Sequence, residues 1–136
     1  MTKGSGIDLA IQLVERINRR DVEGLVGLMS DDVTYVTAET EAVGGENVGA
    51  SVADYLLTWP EFMVHIAEIY DAEDTVVLVV RTTGSHAGLQ RQEEIRRTRL
   101  YAIHIADERI TRWAVHDDSD EKRTELGAEL HTMVTD

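Results

Sequence analysis

The sequence contains no cysteine. Disulfides, thiol nucleophiles and thiolate zinc sites are therefore excluded, and the chain suits a reducing compartment, so the expected location is cytoplasmic. Proline is almost absent, and the single one, Pro60, marks one helix end. Basic residues are scarce, 13 against 26 acidic ones, for a formal net charge of −13. That balance repels phosphate backbones and anionic membrane surfaces, so neither nucleic acid nor membrane is expected as a partner. No apolar run approaches the roughly 18 residues of a membrane span. The start, MTKGSGID, lacks the apolar stretch of a signal peptide and reads as a flexible leader over residues 1–6.

Several chemical motifs are missing too. GGENVG lacks the lysine of a phosphate-binding loop and the spacing of a dinucleotide fingerprint. GSH lacks the serine pattern of a nucleophile elbow. No two histidines share a helix or strand face at ligand spacing with an acid beside them, so neither metal nor cofactor is expected.

What remains is one domain's worth of chain: 136 residues, 43% apolar. Ile7, Ala10, Ile11, Val14 and Ile17 recur at helical spacing, predicting an amphipathic helix over 7–20. Asp21 is placed to cap a second helix, DVEGLVGLM. VTYVT (33–37) reads as a strand, and AETEAVGGENVG as a loop. A third helix runs from about Asn47 to Thr58. Then come long strands over 62–70, 75–83, 95–106 and 110–116, with short turns that imply an antiparallel meander. The tail from 119 is charged and helical at first, with Asp118 and Glu121 at capping-box spacing. Helices first and an antiparallel sheet second is an α+β order. A strongly curved sheet wrapped around the helices would leave a pocket between them. No repeat or linker divides residues 7–118.

Four stretches carry a family likeness. NRRDVEGLVGLMSDDVTYV resembles an opening in which a helix leads through DDV into a first strand. GGENVGASVADYL resembles a glycine turn into a third helix. GSHAG resembles a G-x-H-x-G after a strand. ERITRWAVHD resembles a closing strand in which an isoleucine leads to a tryptophan and then an aspartate. Together, over roughly residues 7–118, they resemble the SnoaL-like branch of the NTF2-like superfamily. The resemblance implies a cone of helices packed on a curved antiparallel sheet, open at one end to small, mostly apolar molecules. Its members include polyketide cyclases, ketosteroid isomerases, epoxide hydrolases and dehydratases, and also non-catalytic binding proteins, so the fold does not choose the chemistry.

Strand alternation puts Trp113, Val115 and Asp117 on one face and Arg112, Ala114 and His116 on the other. Likewise Arg97, Arg99, Tyr101, Ile103 and Ile105 oppose Thr98, Leu100, Ala102 and His104. By the resemblance, the Arg99–Tyr101–Ile103 side faces the cone. The resemblance also makes Asp117 a general acid/base, a role suited to a carboxylate whose pKa is raised by burial; the competing reading is a rim or helix-cap residue. His86 is its candidate assistant, or else a turn histidine between two glycines. Arg99 and Tyr101 would orient a ligand or stabilise an enolate oxygen. Tyr101 stands where epoxide hydrolysis wants an acid, which weighs against that reaction. Glu39 and Glu41 are near the loop where isomerases keep a base, but read as solvated.

Tyr35, Trp59, Phe62 and Trp113 are candidates for a pocket wall, with core packing as the alternative. His65 and His104 read as packing residues. In QRQEEIRRTR an outer salt-bridge ladder competes with an anion hook from Arg97 or Arg99. Two functions follow: cofactor-free acid/base chemistry on a small apolar carbonyl compound, or a non-catalytic ligand-binding or dimerisation module. Under both, Leu100 and Ala102 on the outer sheet face would be covered in a homodimer.

Overall fold

The computed structural model describes residues 4–72, 74–84 and 98–127. Helix α1 spans Gly4–Asn18 and buries Ala10, Leu13, Val14 and Ile17, one stripe at helical spacing. Leu13 takes the place in the stripe that the sequence assigned to Ile11. The helix starts inside the supposed leader. Glycine is a poor helix former, but Gly6 lies against Ile105 and Val76, so packing decides.

Helix α2 (Val22–Val26) is one turn long, shorter than its sequence pattern, because the chain has already entered strand β1 (Met29–Val36). Asp21 caps α2, accepting from the Gly24 amide at 2.9 Å while pairing with Arg16 at 3.0 Å. A three-residue strand, β2 (Glu41–Val43), sits inside what read as a loop. Helix α3 follows over Gly45–Thr58. Strands β3 (Met63–Ala72), β4 (Thr75–Thr83), β5 (Thr98–Ala106) and β6 (Arg109–Asp117) complete a six-stranded sheet in the order β2-β1-β6-β5-β4-β3.

The β3–β6 strands form the expected antiparallel meander. The sheet as a whole is mixed, because β1 pairs with β6 in parallel. Hydrophobic pattern shows that a strand has a buried face, but not which distant strand lies beside it. Register shifts fall between Met29 and Thr34, between Ile66 and Glu68 and between His104 and Ile105, and such irregularities add twist and bend a strand.

The continuous run TVVLVV in β4 is explained by burial on both faces. Val76, Leu78 and Val80 face the helices, and Val77 and Val79 join Tyr70 and Leu100 in a second cluster on the outer face. Leu126 of the last helix, α4 (Asp120–Leu126), packs on that outer cluster. Leu100 and Ala102 are thus already covered within one chain, which removes the exposed surface from which a homodimer through this face was argued. The capping residue of α4 is Ser119, whose hydroxyl accepts from the Lys122 amide at 3.1 Å. Asp118 is not free to cap, because Arg123 grips it through two 2.7 Å hydrogen bonds.

Candidate functional site

Cross-strand register lays out the inner face in rows. Tyr35, Trp113, Ile103 and Val76 form one row, Val115, Tyr101 and Leu78 the next, and Asp117, Arg99 and Val80 a third. Successive rows are two residues, or about 7 Å, apart. Opposite this wall, α3 and its C-cap residue Trp59 present Val52, Tyr55, Leu56 and Trp59 at i, i+3, i+4 and i+7. A tight turn at Pro60, closed by the Phe62 amide on the Trp59 carbonyl at 3.0 Å, brings Phe62 to the same side. The end of β4 passes so close to this turn that Gly84, at φ +82°, has the Glu61 carbonyl where a Cβ would go. That contact, with the positive φ, is what the first glycine of GSHAG supplies.

Between the two walls lies a cavity of about 910 Å³, at the upper end of the usual range for small-molecule sites. Six of the seven aromatic residues line it, and only Tyr70 lies elsewhere. Tyr35 and Trp113 pack at a tilt of 40° with ring centroids 4.5 Å apart, Tyr101 meets Trp113 edge-on at 5.5 Å, and Tyr55 meets Phe62 edge-on at 5.0 Å. The floor is buried: Trp113 is 3% exposed and Tyr101 4%.

The polar groups are few. Burial pushes the Tyr35 phenol up to about 12, with Tyr55 adding to the shift. The Tyr101 phenol is raised further, first by burial and then by Tyr35 and Tyr55, against a smaller opposing pull from Arg99. Both remain hydrogen-bond donors at any physiological pH. The Trp113 indole N–H is buried and has no hydrogen-bond partner among the described residues. Thr82, also buried, adds a hydroxyl to the wall.

At the mouth, Asp117 Oδ1 lies 3.5 Å from Arg99 Nη1. The Asp117 side chain is 93% exposed, because it ends β6 at the rim of the sheet. The burial expected of a general base at this position is therefore missing. His116, Ser119, Lys122 and Glu39 share the mouth. Burial, followed by the Lys122 charge, lowers the His116 pKa, which keeps the imidazole neutral at pH 7.

The cavity thus brings together Tyr35, Trp59, Phe62, Arg99, Tyr101, Trp113 and Asp117 of the residues singled out in the sequence. His86 and Arg97 lie outside the described residues. His65 and His104 sit apart, in contact with Thr83 and Thr75. Glu41 is exposed and Glu39 lines the rim. Sequence reasoning passed over Tyr55, although its spacing from Val52, Leu56 and Trp59 was there to read. It also passed over Thr82, Ser119 and Lys122, for which no local pattern exists. Among the described residues no cluster of three or more histidine and carboxylate groups could hold a metal, and no helix is long and apolar enough to cross a membrane.

A family profile of the SnoaL-like domain matches residues 10–113. The chain belongs to the SnoaL-like family. Solved structures agree on the fold. A SnoaL-like protein of unknown function from Burkholderia thailandensis superposes with a TM-score of 0.71 at 16% identity, covering 88% of this chain and 99% of its own. A Sinorhizobium meliloti protein provisionally named a polyketide cyclase gives 0.71 at 15% identity, over 80% and 94%. An NTF2-like protein of unknown function from Cytophaga hutchinsonii gives 0.67 at 12%, over 90% and 94%. At such identities the likeness is one of fold. Among curated proteins, none matches this sequence.

Proposed function

We propose that this SnoaL-like protein binds a small, largely apolar carbonyl compound and carries out cofactor-free acid/base chemistry on it, of the cyclase, isomerase or dehydratase type. The observation that carries the reading is an aromatic cavity whose Tyr101 donor lies one strand row from the Asp117–Arg99 pair. In the proposed step the Asp117 carboxylate takes a proton from carbon beside the carbonyl. The C–H electron pair moves onto the carbonyl oxygen as an enolate. Tyr101, which keeps its proton, donates a hydrogen bond to that oxygen in a site of low dielectric. The enolate is then reprotonated at another carbon, attacks a second carbonyl, or expels a leaving group. Arg99 holds the Asp117 side chain at the mouth. His86 keeps the assisting role implied by the family resemblance. No metal or redox group enters the step.

The exposure of Asp117 favours a second reading, a ligand carrier without turnover, because a solvated carboxylate is a weak base at neutral pH. Deuterium exchange separates the two. Polycyclic ketones incubated with the protein in deuterium oxide should exchange their acidic C–H positions, as read by proton NMR. Asp117→Asn should abolish the exchange with the fold intact, and Tyr101→Phe should slow it by about a hundredfold or more. Ketones that bind but never exchange would leave the carrier reading standing.

A further inference from the structure

The C-terminal helix touches two parts of the molecule at once. Ser119 and Lys122 line the cavity mouth, while Arg123 and Leu126 lie on the outer side, with Leu126 against Tyr70, Val77, Val79 and Leu100. At seven residues α4 is too short to hold its shape alone, and none of its residues is buried. Among the described residues, one side chain supplies its hydrogen bonds to the sheet and to the end of β6. Arg123 donates through Nε and Nη2 to the two oxygens of Asp118, each at 2.7 Å, and through Nη1 to Glu68 at 3.4 Å. Those acceptors are themselves held: the Thr98 hydroxyl donates to Asp118 at 2.5 Å, and the buried Tyr70 hydroxyl donates to Glu68. Through Arg123, then, a helix with little packing of its own is fastened to β3, β5 and the end of β6. Asp117, adjacent to Asp118, stands at the same corner.

We propose that α4 is a strap across the cavity mouth and that Arg123 is the positioning residue that keeps it closed. Release of the Arg123 fork would let α4 swing or fray, taking Ser119 and Lys122 away from the opening and widening the way in for a ligand. The functional meaning of such a strap rests on the cavity being a ligand site, as proposed above, but the strap itself can be tested without any ligand. Local opening of a short, exposed element costs far less than global unfolding, so the closed and open forms can exchange while the sheet stays intact.

The two tryptophans, Trp59 and Trp113, both line the cavity, so quenching of intrinsic fluorescence by acrylamide reports entry through the mouth. Arg123→Gln should raise the quenching constant by about twofold or more. Arg123→Lys, which keeps the charge but cannot fork, should fall between Gln and the parent. In hydrogen exchange, the amides of 120–126 should exchange at least tenfold faster in Arg123→Gln than in the parent, with those of β4 and β5 unchanged. Unchanged quenching in a folded Arg123→Gln protein would overturn the proposal. So would parental α4 amides as slow to exchange as those of β5, since that helix would open only with the whole domain. Should Arg123→Gln fail to fold, the Lys variant and the parental exchange rates decide by the same criteria. Failure of the ketone exchange test would leave these outcomes untouched.

Discussion

Replacing Trp113 by phenylalanine should cost this protein far less stability than the burial of the side chain suggests. Trp113 is 3% exposed and sits in a ring cluster with Tyr35 and Tyr101. Two losses are expected. Phenylalanine is smaller by roughly 40 Å³, which at about 24 cal/mol per Å³ of sealed void amounts to about 1 kcal/mol. Trimming the edge contacts with the two tyrosines costs about 0.5–1.5 kcal/mol more. The void term is an upper bound, because Trp113 borders a cavity that is already open, so the freed space joins it and need not stay empty. Against these stands the indole N–H, buried without a partner. An orphaned donor carries a desolvation penalty of about 1–3 kcal/mol, which the substitution removes. The terms nearly cancel, leaving a net change within about 1 kcal/mol of zero, or a Tm shift of about 4 °C or less for a chain of this length. Urea or thermal unfolding of the folded variant measures this directly. A loss of 3 kcal/mol or more would refute the reasoning, since it would mean that the indole N–H is satisfied in solution.

Two further predictions concern single groups. Gly84→Ala should destabilise the domain by several kcal/mol, because it combines a positive φ with a Cβ placed on the Glu61 carbonyl; a variant with parental Tm would contradict that close approach. Tyr35, Tyr70 and Tyr101 all hold their protons more tightly folded than unfolded, mainly through burial. The unfolded chain therefore gains by ionising them above pH 10, and stability should be full below that pH and fall as pH rises past it. In a spectrophotometric titration these three should ionise late, or only with unfolding, and their titrating reversibly near pH 10 as ordinary phenols would count against the burial of these rings.

The sequence discloses the parts of this molecule that depend on local pattern. Period 3.6 in residues 10–17 and 52–59, period 2 in β5 and β6, and the unbroken apolar run of β4 each record which faces are buried. What it hides depends on distant partners. The parallel pairing of β1 with β6 joins segments some eighty residues apart, and no local signal encodes it. β2 is too short for periodicity to show inside a glycine-rich stretch. Asp118 has the spacing of a cap, but Arg123 claims it first, and Ser119 caps instead. The site divides along the same line. Its wall of Tyr35, Tyr101 and Trp113 follows from strand alternation once the inner face is chosen, whereas the contribution of Ser119 and Lys122 at the mouth comes from how α4 folds back.

That division has a chemical consequence. The floor of the cavity is built on register: Tyr35, Ile103 and Trp113 are locked in one row by three neighbouring strands, so the donors there cannot shift without the sheet shifting. Such donors are preorganised, which is what stabilising a developing oxyanion requires. The mouth is built on ends instead. Asp117 is the last residue of β6, Glu39 lies in a loop, and Lys122 is on a short helix held by Arg123 and the packing of Leu126. Groups at such ends are the ones that local opening can move while the sheet stays intact. For the chemistry proposed above, a rigid donor floor beneath a movable rim is the arrangement in which ligand choice and rate would be altered separately. On that proposal, substitutions in the Tyr35–Trp113 row should change which ligand binds, while substitutions around Asp117 and Arg123 should change how fast it enters, reacts and leaves.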